Sequence, residues 1–88
     1  MEVLEQKKLV NIINEYNKID SAIVKSNITK YINRSEYKGN NQELADKVGL
    51  NINTIYLYRQ PKKRTNISFE SALKVSNVLG ISILDLMK

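Results

Sequence analysis

The side chains of this chain that can do chemistry are cations and amides, and they gather in one interval. Between Asp46 and Glu70 there is no acid, while Lys47, Arg59, Lys62, Lys63 and Arg64 all fall inside it. Those five cations equal the whole formal excess of +5, and the nine remaining cations are matched by nine acids. A patch of one sign is a surface that phosphates can approach, and it would supply steering and affinity. Taken alone, the Lys-Lys-Arg run is an ordinary solvated loop, so its neighbours decide its meaning. Catalysis finds no comparable cluster. The chain has no histidine and no cysteine, which removes the commonest general base and the usual zinc ligands. It also has no Gly-rich phosphate loop and no clustered carboxylates, so the sequence predicts no enzyme, no metal and no cofactor.

Eighty-eight residues, 42% of them apolar, suffice for one modest core. No apolar run reaches the roughly 18–20 residues that a membrane span needs. The opening residues Met1 to Lys8 lack the order of a signal peptide. With cysteine absent as well, the sequence predicts a cytoplasmic protein without a membrane partner.

Helical spacing accounts for most apolar residues. Leu9, Ile12, Ile13 and Tyr16 form one stripe of a helix over about Glu2 to Asn17. Asp20 or Ser21 can cap a second helix to about Arg34, with Ile23 or Val24, Ile28, Tyr31 and Ile32 as its stripe. Whether these are two helices or one is left open by the residues between them. Tyr37 to Asn41 is a turn by composition. Asn40 followed by Glu43 starts a third helix that stops at Gly49. Asn51 caps a fourth, running to about Arg59 and ended by Pro61. Ser68 caps a fifth, which stops at Gly80, and Ser82 with Asp85 starts a short last one.

The informative spacing is Leu44-Ala45, Val48-Gly49-Leu50, Ile55 and Tyr58. Two short helices crossing steeply need a small residue where they touch, which Ala45 supplies. They need a tight turn, which Gly49 can make at positive φ. They also need apolar inner faces, supplied by Leu44 and Val48 on one side and by Leu50, Ile55 and Tyr58 on the other. That is a helix-turn-helix pattern, whose second helix would lie in a DNA major groove.

The stretch Asn41-Gln42-Glu43-Leu44-Ala45-Asp46-Lys47-Val48-Gly49-Leu50-Asn51-Ile52-Asn53-Thr54-Ile55 resembles the motif of the Xre/Cro family of phage-repressor-like regulators. The likeness continues through Ile67-Ser68-Phe69-Glu70, Leu73, Val78-Leu79-Gly80-Ile81-Ser82 and Leu84-Asp85-Leu86, covering about Ile28 to Lys88. The resemblance implies an all-α chain: a compact five-helix phage-repressor-like helix-turn-helix domain over 20–88, with an extra N-terminal helix over 1–19. It implies binding of operator DNA, usually as a dimer. Two positions depart from the family. Arg34 matches an arginine that commonly pairs with a glutamate near the end of the recognition helix, but Arg59 stands at the acid's place, leaving Glu36 or Glu43 as partners. Pro61 replaces a common glycine.

With Ile55 and Tyr58 inward, the opposite face holds Asn53, Tyr56, Leu57 and Gln60. Asn53 and Gln60 can pair with adenine, and Ile52 and Leu57 can pack on thymine methyls. Tyr56 can reach a phosphate or a base edge. Asn41 and Gln42, at a helix N-terminus, are phosphate contacts together with Lys47, Arg59, Lys62, Lys63 and Arg64. Ile52 and Leu57 have a competing role in the core or in a protein interface, and Asn53 as a cap. The sequence thus predicts a transcriptional regulator, a repressor, with double-stranded DNA as partner and no small-molecule ligand. The competing reading is a protein-binding helix-turn-helix module such as an antirepressor or inhibitor. Leu9, Ile12, Tyr16, Ile19 and Ile23 follow a 3-4-3-4 spacing, a short seam for a homodimer. The same stripe can instead pack on its own chain.

Overall fold

A computed structural model describes the backbone of residues 2–62 and 66–88 and the side chains of residues 8–62 and 66–88. Among the described residues all regular structure is helical: α1 (Glu2–Asn17), α2 (Ser21–Asn33), α3 (Asn41–Val48), α4 (Ile52–Tyr58), α5 (Phe69–Leu79) and α6 (Ile83–Leu86). The helix starts are set by side chains that satisfy the otherwise orphaned N–H groups of the first turn, each worth about 1 kcal/mol. Asn40 Oδ1 accepts from the Glu43 N–H at 3.1 Å and Asn51 Oδ1 from that of Asn53 at 2.8 Å. Ser68 Oγ accepts from the Ser71 N–H, and Ser82 with Asp85 forms a reciprocal capping box. The Asp20-or-Ser21 alternative resolves to Asp20, whose carboxylate accepts from the Ala22 N–H at 2.9 Å. The open question of one helix or two is also resolved. Tight bonds from Lys18 N–H to the Glu15 carbonyl and from Ile19 N–H to that of Tyr16 close α1 before the extended Asp20.

α2 packs against α4, α5 and α6, and α5 also packs against α6 and against α3, which lies on α4. One core cluster gathers Val24, Ile28 and Ile32 with Leu44, Ala45 and Val48, Ile55 and Tyr58, Ala72 and Val75, and Ile83 and Leu86. Val24, not Ile23, belongs to the stripe of α2; Ile23 is exposed. Tyr37, read from composition as part of a turn, is a core residue. Its N–H donates to Ser35 Oγ, which donates in turn to the Ile32 carbonyl at 2.7 Å, folding the connection onto the end of α2. Lys25 is buried in the middle of α2, and burial pushes its pKa down against the opposing pull of Asp20. The C-terminal turn is tied to α2 by Asn27 Nδ2, which donates to the Leu86 carbonyl at 2.9 Å.

Of the other helices, α1 packs on α5. Its last turn is part of the core: Tyr16 is buried, and its hydroxyl donates to the Ile67 carbonyl at 2.7 Å. The Tyr16 ring meets Phe69 edge-on, with centroids 5.4 Å apart at 81°. The five-residue seam expected for a dimer therefore splits. Tyr16 is buried and Ile12 and Ile19 pack against the chain's own core, while Leu9 and Ile23 stay outside together with Val10. Among the described residues no helix is long and apolar enough to cross a membrane.

Candidate nucleic-acid interface

The turn between α3 and α4 is closed by one carbonyl. Ala45 O accepts from the N–H groups of both Gly49, at 2.8 Å, and Leu50, at 3.0 Å. Both bonds require the chain to reverse at Gly49, which sits at φ +82°, a conformation cheap only for glycine. Ala45 is fully buried, so a larger side chain there would have to displace its packed neighbours. Leu44, Val48, Ile55 and Tyr58 are buried and Leu50 packs against them. The inner faces are thus those read from the spacing.

The outer face of α4 carries Asn53, Tyr56 and Leu57 at the surface, with Tyr56 46% and Leu57 37% exposed. Gln60, expected on the same face, is exposed but lies beyond the helix, which ends at Tyr58. Gln60 Nε2 donates back to the Tyr56 carbonyl at 3.2 Å, which turns its amide along the helix. The capping role open to Asn53 belongs to Asn51, so the exposed Asn53 side chain is not needed to start the helix. Ile52 is half-buried against the core, so of the two expected apolar contacts Leu57 is the more outward.

The cationic and helix-end residues separate into two groups. Gln42, Lys47 and Lys62 are exposed, and Gln42 Nε2 donates to the Asp46 carboxylate at 2.9 Å. Lys63 and Arg64 lie outside the described residues. Asn41 and Arg59 are joined: Arg59 Nη1 donates to Asn41 Oδ1 at 2.6 Å, and Nη2 donates to Asn33 Oδ1 at 2.8 Å. Arg59 therefore uses two neutral amide oxygens, and among the described residues neither Glu36 nor Glu43 forms the ion pair with Arg34 that would replace the family's bridge. Glu43 accepts instead from Asn40 Nδ2 at 3.0 Å. Asn33 was not foreseen as a partner, since nothing local marks a contact 26 residues away along the chain. The ion pairs formed among the described residues, Lys18–Glu15, Lys74–Glu70 and Lys88–Asp85, lie on other helices.

The result is an exposed set of amides, one phenol and one leucine on and just past α4, with exposed Lys47 and Lys62 on the flanking segments and without a carboxylate on α4. Such a set can hydrogen-bond to base edges or cover an apolar partner, and the flanking lysines can meet phosphates. No family model, curated protein or solved structure matches this chain.

Proposed function

We propose that the chain is a sequence-specific double-stranded DNA-binding transcriptional regulator, a repressor. In this reading α3 and α4 are the helix-turn-helix of a phage-repressor-like domain. The observation that carries it is the division of α4: Ile55 and Tyr58 are wholly committed to the core, while Asn53, Tyr56 and Leu57 project from it, with Gln60 exposed just past its end. A seven-residue helix held by one stripe can enter a groove with its other side. Asn53 and Gln60 would then pair with bases and Leu57 would meet a thymine methyl. Lys47, Lys62 and the α3 N-terminus would contact the backbone. One short helix reads few base pairs, so two copies on half-sites roughly 34 Å apart are needed for useful specificity. Among the described residues outside α4, the exposed Leu9, Val10, Ile23 and Leu84 are apolar surface that such a homodimer could cover.

Selection of bound duplexes from a random pool tests the reading, since it returns the site and the half-site spacing together. Binding is expected to weaken with salt at a slope of roughly −3 to −4 per half-site. The exposure of Tyr56 and Leu57 favours a second reading, a helix-turn-helix module that binds a protein. A chain that shifts no duplex even at low salt would refute the first reading and leave that one.

A further inference from the structure

We infer that Arg59 sets the pose of α4 as a charged fork between two neutral amides, and brings its positive charge to the duplex uncompensated. The inference rests on the DNA-binding reading. Arg59 is the C-terminal cap of α4, and its backbone N–H returns to the carbonyls of Ile55, Tyr56 and Leu57. From there its side chain reaches Asn41, the first residue of α3, and Asn33, the last residue of α2. One planar group thus joins the ends of three helices at one point.

That point lies where α4 most needs support. The helix is two turns long, and its buried contacts are Ile55 and Tyr58, one face only. A short helix seated on a single stripe can pivot about it. The Gly49–Asn51 turn holds its N-terminal end, and the Arg59 fork holds the other. A guanidinium suits this work because its five donors are rigidly arranged and it accepts nothing. An acid could hold it equally well but would neutralise it. Asn33 and Asn41 hold it and leave the charge, with N–H groups to spare for a phosphate oxygen.

The test uses the full chain against a selected duplex and a random duplex of equal length, over a range of salt. Measurements are made well below each variant's melting temperature, so that lost stability alone leaves the ratio of the two affinities unchanged. Arg59→Lys keeps the charge but cannot span both amides. It is expected to keep the salt slope and to lose about tenfold on the selected duplex, with little change on the random one. The double variant Asn33→Ala/Asn41→Ala should behave alike, although Arg59 is intact. Arg59→Gln should reduce the slope by about 0.9, one phosphate contact. If Arg59→Lys and the double variant both discriminate as the wild type does, the positioning role is wrong. An unchanged slope in Arg59→Gln would remove the phosphate contact. A wild-type chain that binds no duplex overturns the DNA-binding reading itself and this inference with it, a result distinct from silent variants of a binding protein.

Discussion

Tyr16→Phe isolates the attachment of α1 to the rest of the chain, because it removes one oxygen and leaves the ring against Phe69. The hydroxyl lost is buried and sits 2.7 Å from the Ile67 carbonyl. Deleting it forfeits a hydrogen bond and strands a backbone acceptor, so the cost near neutral pH should be about 1–2 kcal/mol. The same hydroxyl gives the experiment a second axis. Burial, and secondarily Tyr58, pushes the Tyr16 pKa up from 10.0 to about 12. The folded chain therefore holds this proton more tightly than the unfolded chain does. The stability so gained is fully present below pH 10 and is lost as pH rises toward 12. The full span corresponds to about 2–3 kcal/mol. Phenylalanine has no proton to lose. Urea unfolding of both proteins from pH 7 to 12 should find the variant weaker up to about pH 10. The gap should then close, and the variant should be the more stable at the alkaline end. Titrating groups not coupled to Tyr16, Tyr37 included, are common to both proteins and cancel in the difference. Equal stability at pH 7 with parallel curves above pH 10 would mean that Tyr16 is not buried and bonded, and that α1 does not dock through it.

Thr29→Val should stabilise the chain by about 1 kcal/mol in urea, because Thr29 Oγ1 is buried without a hydrogen-bond partner among the described residues. A loss of stability would show that the hydroxyl is satisfied. Gly49→Ala should cost about 1–2 kcal/mol in melting experiments through its left-handed backbone alone. Nothing lies within 4 Å of the added Cβ, so a much larger loss would mean that the turn is packed. Asn53→Ala, under the proposed reading, should lose about 1–3 kcal/mol on the selected duplex and relax preference at one base pair; an equal loss on random DNA would exclude a base contact. Asn51→Asp should leave folding stability unchanged or slightly raised, since aspartate caps as well and suits the helix dipole. It should nevertheless weaken duplex binding, and a binding curve unmoved by it would place the start of α4 away from phosphates.

The half of the chain from Asn40 onward was legible because each helix there begins at a short polar side chain, and two of them end at a glycine. Asn40, Asn51, Ser68 and Ser82 are local signals, and each caps as its spacing suggests. The inner faces of α3 and α4 were legible for the same reason, helical period within a few residues. What the sequence concealed is long-range. Tyr37 sits among turn-forming residues yet fills the core, since burial depends on where the chain folds back rather than on its neighbours. The stripe of α1 obeys the spacing of a dimer seam and of a docking face equally, and only the position of Ile67 and Phe69 turns Tyr16 inward. Lys25 lies on a helix that reads as amphipathic, and nothing near it predicts its burial. Among the candidate site residues, the outward exposure of Asn53, Tyr56 and Leu57 followed from period alone. The partners of Arg59 did not, because Asn33 and Asn41 belong to other helices.

The choice between amide and carboxylate links folding to the proposed contact. On the far elements the chain uses acids freely: Asp20 caps α2, Asp85 completes the box of α6, and Glu15 and Glu70 pair with lysines. On α3 and α4 it substitutes amides in the same offices. Asn40 and Asn51 are the caps, and Asn33 and Asn41 hold Arg59. For stability alone aspartate would serve at least as well at each place, through the dipole at the caps and through charge at the guanidinium. Glu43 and Asp46, the two acids of α3, accept from the neutral amides of Asn40 and Gln42 and keep their charge, so the bias is confined to the caps, the Arg59 contact and α4. A fold has no need of this bias. A surface that must approach phosphates does, because each free carboxylate on it repels the partner while contributing nothing to recognition.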